Sequence, residues 1–179
     1  MALQKSTLRY LGSCLGGILN IFETIVVQAT GISADNPLVG VLSPRCDILE
    51  LSEYSHDASL RPRRPGGLSH SERAGLAYRI AKRNNETALM LHYNQLFGVD
   101  SQTLADISFD GGDDARLKAI IRHTDLVTIN PKAAVIEDVA ALPVAGLDNA
   151  DIVQLSELIA FVSYQARVVA GLRLMAVVA

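Results

Sequence analysis

The sequence predicts an all-α fold, and three observations predict it. No stretch alternates apolar and polar residues with period two, the pattern a half-buried strand leaves. Several segments instead carry apolar residues at helical spacing between capping residues. Hydrophobic residues make up 49% of the chain while aromatics are only 5% and tryptophan is absent, so alanine, leucine and valine must supply the packing. Such a composition suits closely packed helices. A length of 179 residues fits one domain, assigned to residues 24–179, with residues 1–23 as an N-terminal extension expected to be helical.

Within residues 1–29, Lys5 and Arg9 precede an apolar run from Tyr10 to Val27, and Val27-Gln28-Ala29 resembles a signal-peptidase site. Asn20 and Glu23 interrupt the run and leave it short of a membrane span, which favours an amphipathic helix and a cytoplasmic chain over export. Thr30 to Pro37 reads as a turn region. Leu38 to Tyr54 is partly helical, with Pro44 near its start, and His56 lies just beyond it. Arg61 to Gly67 forms a Pro-rich loop whose arginines are a solvated linker.

The stretch from Leu68 to Phe97 organises the chain. Ser69 and Glu72 form a capping box that opens a helix carrying Leu76, Ile80 and Ala81 on one face, with Arg79, Lys82 and Arg83 largely on the other. Asn84-Asn85 breaks it, and a second helix runs from Glu86 to Phe97, bearing His92, before Gly98. Val99 to Asp114 is a long connection turned at Gly111-Gly112. Asp113 or Asp114 caps a helix from Ala115 to about Val127, followed by Pro131, and a short helix covers Ala133 to about Leu142. Asp148, with Asp151 three positions on, caps the last helix. Apolar residues surround nearly its whole circumference, which predicts burial at the centre of the fold or in a subunit interface. Glu157, Arg167 and Arg173 argue against its spanning a membrane.

Net charge of −3 and a pI near 5.8 exclude the concentrated basic face that nucleic-acid binding needs. Cys14 and Cys46 are far apart and belong to no CxxC pair, which suggests buried thiols in a reducing compartment. No metal-ligand spacing and no serine nucleophile elbow is present. The strongest candidate for chemistry is a carboxylate–imidazole pair. Glu72 and His92 lie 20 positions apart on helices joined by a tight break, so an antiparallel pairing can bring them together as a proton relay. The bland alternative is that Glu72 only caps its helix and His92 only packs. Arg167, with Tyr164 three residues before it, sits in an apolar helix and needs either a structural ion pair or a substrate carboxylate.

Three stretches together resemble the carboxymuconolactone decarboxylase and alkylhydroperoxidase D-like (AhpD-like) superfamily, and in particular its carboxymuconolactone decarboxylase-domain, peroxidase-related proteins. GGLSHSERAGLAYRIA with LMLHY resembles the family's glutamate- and histidine-bearing helices. HTDLVTINP with DVAALPVAGLDNADIVQLSELIAFVSYQARVVAGL resembles its C-terminal part, and TGISADNPLVGVL resembles its start. The resemblance covers about residues 24–179. It implies a helical fold that assembles as an obligate homo-oligomer, commonly a trimer or hexamer. It also implies a peroxidase or decarboxylase activity on a hydroperoxide or small organic acid; no cofactor, no nucleic acid and no membrane partner is expected. In the peroxidase branch a Cys-x-x-Cys-x-x-x-His motif follows the glutamate helix. Here Glu72 matches the glutamate and His92 the histidine, but the cysteine positions fall on Asn85 and Ala88, and no cysteine lies between residues 47 and 179. Thiol chemistry therefore lacks its nucleophile unless the fold brings Cys46 to His92. The expectation is cofactor-free acid–base catalysis by Glu72 and His92, with Arg167, Tyr164 and Asn85 binding substrate; a non-catalytic binding or structural oligomer is the alternative.

Overall fold

The computed structural model describes residues 20–178, which are helical and contain no strand. Most of the expected N-terminal extension, with Cys14 and the start of the possible export signal, lies outside the described residues. In chain order the helices are α1 (Ile25–Thr30), α2 (Leu38–Leu42), α3 (Cys46–Leu60), α4 (His70–Arg83), α5 (Thr87–Asn94), α6 (Gln102–Ala105), α7 (Ala115–Ile129), α8 (Ile136–Val144) and α9 (Asn149–Val178). The described residues divide into two compact units, residues 56–166 and residues 20–55 with 167–178.

In the larger unit α4 is central and packs against α5, α6 and α7. Leu76, Ala77, Ile80 and Ala81 give it a fully buried face, and each such leucine or isoleucine contributes about 1.5–3 kcal/mol on leaving water. Its start is the expected capping box: Glu72 N–H donates to Ser69 Oγ at 3.2 Å, and Ser69 N–H donates to Glu72 Oε2 at 2.8 Å. Its end is set by Asn85, whose φ of 57° is left-handed. Asn85 N–H bonds Lys82 O at 3.1 Å and Glu86 N–H bonds Ala81 O at 3.0 Å, the two bonds of a Schellman motif. Glu86 then caps α5, which stops at Asn94, three residues short of the expected Phe97.

The polar face expected of α4 is only partly polar in fact. Arg73 and Arg79 are both 1% exposed. Arg79 makes two 2.7 Å bonds to the Asp125 carboxylate on α7 and one of 2.6 Å to Asp106 O. Arg73 donates to Leu68 O, Ser59 O and Pro65 O and to Gln154 Oε1. A buried guanidinium is tolerable only when its donors are filled in this way. Asp114 caps α7 through Leu117 N–H as expected, and Asp148 caps α9 through Asp151 N–H. Helix α8 begins at Ile136 rather than Ala133, because a 3₁₀ turn at Pro131–Ala133 intervenes.

In the smaller unit Thr24 caps α1, and a turn over residues 31–37 leads into α2. Arg173 donates to Ala29 O at 2.8 Å and Asn36 to Ala176 O at 3.1 Å, fixing the last turns of α9 to the α1–α2 segment. Cys46 is a free, buried thiol. Helix α9 is not buried all round. Leu155, Leu158, Ile159, Val162 and Val169 are buried, whereas Val153, Leu174, Val177 and Val178 are exposed. By length and composition it is apolar enough to cross a membrane, and 28% of its most apolar window is buried.

Candidate functional site: a facing histidine pair

Helix α3 continues six residues past the expected end at Tyr54, stopping two residues before Pro62. Proline disfavours a helical residue before it, so the end is where the sequence dictates. This extension puts His56 inside the helix, on the buried stripe that also carries Cys46, Leu49, Ser52 and Leu60. His92 projects from α5, and its Nε2 lies 3.0 Å from Nε2 of His56. The rings meet edge to face with centroids 5.1 Å apart. Tyr93 stacks on His56 at 6.0 Å, and Phe161 of α9 meets His56 edgewise at 6.3 Å. Four residues further along α9, fully buried Gln165 accepts a hydrogen bond from the Tyr93 hydroxyl at Oε1, while its Nε2 has no partner among the described residues.

The contact behind the ring favours one assignment of the tautomers. Asp57 Oδ1 stands 3.2 Å from His56 Nδ1, and a carboxylate can only accept. His56 therefore carries its proton on Nδ1, its Nε2 is an acceptor, and His92 donates from Nε2. The lone pair of His92 is left on Nδ1, which no described residue bonds. The chain Asp57–His56–His92 thus presents one basic nitrogen at its end. Burial, then the neighbouring His56 and Arg61, push the His92 pKa down to about 4. Burial also lowers that of His56, against an opposing pull from Asp57. Both rings are neutral at pH 7, as the hydrogen bond between them requires.

The expected Glu72–His92 pair does not form. Glu72 uses Oε2 in the capping box and Oε1 in a 2.8 Å ion pair with Arg116, which also donates to Gly67 O. Burial would raise the Glu72 pKa, but the bonds from Arg116 and Ser69 outweigh it and hold the carboxyl below its usual range. The carboxylate partner of the histidine network is Asp57 instead. Among the expected substrate-binding residues, Asn85 is exposed and its conformation is that of the helix stop. Tyr164 is 43% exposed and packs on Phe161 with centroids 6.3 Å apart. Arg167 is exposed, so its apolar helix does not bury it. His123 is buried on α7, with Nδ1 lacking a hydrogen-bond partner among the described residues.

A separate open groove of about 720 Å³ lies between α7 and α8, lined by Ala115, Ala119, Ala140, Ala141 and Val144 and edged by Arg122. It includes neither His56 nor His92. No protein-family model matches the chain, and no curated protein matches it.

Proposed function

We propose that the chain is a cofactor-free acid–base catalyst of alkylhydroperoxidase D-like fold, with His92 as the proton-transferring residue. The observation that carries this reading is the 3.0 Å bond between His56 and His92. It leaves a single basic nitrogen on a ring kept neutral at physiological pH. A general base must be within reach of the proton it takes and must be unprotonated when it meets it; Nδ1 of His92 satisfies the second condition and has no competing partner among the described residues. His56 and Asp57 are positioning residues that hold the tautomer. The substrate class is a small organic acid with an acidic C–H beside a carbonyl, in keeping with the lactone acids of the decarboxylase branch. Glu72 is assigned to capping and to Arg116.

The reading extends to a homo-oligomer. Ile48, Leu51 and Tyr54 of α3 form an exposed apolar stripe, and Leu174, Val177 and Val178 of α9 are exposed as well, the kind of surface a second subunit covers. Sedimentation equilibrium tests this; a monomer at micromolar concentration would contradict it.

The catalytic claim is tested by deuterium exchange from solvent into a panel of small keto and lactone acids. His92→Gln should lower exchange at least about 100-fold, whereas Glu72→Gln should leave it within a few-fold. Equal rates for His92→Gln and the parent would overturn it. The commitment of Glu72 to Ser69 and Arg116 favours one second reading, a non-catalytic binding oligomer, which predicts no exchange by any variant.

A further inference from the structure

We propose that the facing Nε2 atoms of His56 and His92 form a binding site for a divalent transition-metal ion, with zinc as the best fit. The geometry points to it directly. Two imidazole ligands at Zn–N distances of about 2.0–2.1 Å and a tetrahedral angle place their nitrogens about 3.3 Å apart. The two nitrogens here stand 3.0 Å apart, a few tenths of an ångström short of that bite, and each ring has to tilt to turn its nitrogen from the other ring toward a shared ion. Tyr93 and Phe161 flank His56 and limit how far its ring can turn away.

The outer contacts also match those of a metal ligand. Metal-binding histidines usually donate their other ring N–H to a carboxylate or carbonyl, which orients the ring and strengthens the ligating nitrogen. Asp57 occupies that position behind His56 at 3.2 Å. Proton bookkeeping is neutral as well. His56 already holds its proton on Nδ1, away from the metal. His92 needs only to exchange its Nε2 proton for one on Nδ1, so the ion binds two neutral imidazoles with no net proton released. No cluster of three or more histidine, cysteine or carboxylate side chains is formed among the described residues. The remaining positions would fall to water or a ligand oxygen, which makes this an exchangeable site and not a closed structural one. Borderline imidazole ligands favour zinc, nickel or copper over magnesium or calcium.

This inference uses the same two side chains as the catalytic reading but does not rest on it. A bound ion takes the nitrogens that carry the relay bond, so it would inhibit proton transfer through His56. The test is calorimetric titration of metal-stripped full-length protein with Zn²⁺ alone, checked by the absorption spectrum of the Co²⁺ form. One ion per chain is expected, weakened roughly 10- to 100-fold in Asp57→Asn and at least 10-fold in His92→Gln. Asp57 and His92 are less buried than His56, and circular dichroism of both variants establishes that they fold. Zinc affinity unchanged in His92→Gln, or no saturable binding below about 1 mM, would overturn the site. Proton exchange is measured on the metal-free protein: exchange lost with zinc binding intact sinks the catalytic reading alone, and the converse sinks the metal site alone.

Discussion

His92 Nε2 faces His56 Nε2 at 3.0 Å, and only one proton can lie between them. Protonating both rings breaks the bond and places two cations in contact beside Arg61, which already disfavours charge on His92. Asp57 opposes this, acting on His56.

The consequence is acid sensitivity with a definite sign. In the unfolded chain the histidines take up protons near pH 6.5, whereas native His92 resists until about pH 4. The unfolded state thus binds more protons over that window, and stability falls as pH falls from about 6.5 toward 4. Thermal unfolding between pH 7 and 4.5 should show this loss, and His92→Gln should make the slope shallower. A slope identical to that of the parent would contradict the assignment.

Arg79 and Asp125 form the best-buried ion pair described, with side chains 2% and 19% exposed, and Arg83 adds a 2.6 Å bond to the same carboxylate. Asp125→Ala leaves the Arg79 guanidinium without its counter-ion and should cost about 3–5 kcal/mol in urea unfolding. Replacing the pair together, as Arg79→Met with Asp125→Leu, should recover part of that loss. Burial would raise the Asp125 pKa, but the arginine bonds outweigh it and lower it. The pair's contribution is therefore present above the usual carboxylate range and is lost as pH falls below it.

Glu72 stabilises the start of α4 through Ser69 and Arg116. Glu72→Ala should destabilise by about 1 kcal/mol or somewhat more, and Glu72→Gln by less, since glutamine also completes a capping box. Denaturant midpoints of the two variants measure the difference.

Gly75 lies within α4 where alanine would ordinarily be favoured by about 1 kcal/mol. A Cβ there would stand 2.8 Å from Ser101 O and 3.3 Å from Leu104 Cβ. Gly75→Ala should therefore destabilise, by about 1 kcal/mol or more net, because backbone has to move aside. A stabilised variant would show that α4 and α6 pack less closely than described.

What could be read from the sequence was what neighbours in the chain decide. The Ser69–Glu72 box, the Asn84-Asn85 stop, the Asp114 cap and the Asp148 cap each depend on three or four consecutive residues, and each stands where the local chemistry placed it. The 3₁₀ turn after Pro131 shifted α8 because proline ends one helix without fixing where the next begins. The histidine pair was hidden for a different reason. His56 and His92 are 36 residues apart, and their meeting depends on how α3 and α5 pack. One local signal did exist: carrying α3 on to Pro62 places His56 on the face of Leu49. Arg79 and Asp125 were hidden in the same way, since an arginine among polar neighbours reads as surface until its carboxylate is found on another helix. Glu72, conversely, looked available for chemistry only because Arg116 is 44 positions away.

The central claim, that Asp57 and His56 hold His92 as a neutral base with its lone pair on Nδ1, is tested most directly by ¹⁵N NMR of the imidazole nitrogens across pH. The expected result is a proton on Nδ1 of His56 and on Nε2 of His92 at pH 7, with His92 titrating near pH 4. A His92 that carries its proton on Nδ1 in metal-free protein, or that titrates near 6.5, would contradict it.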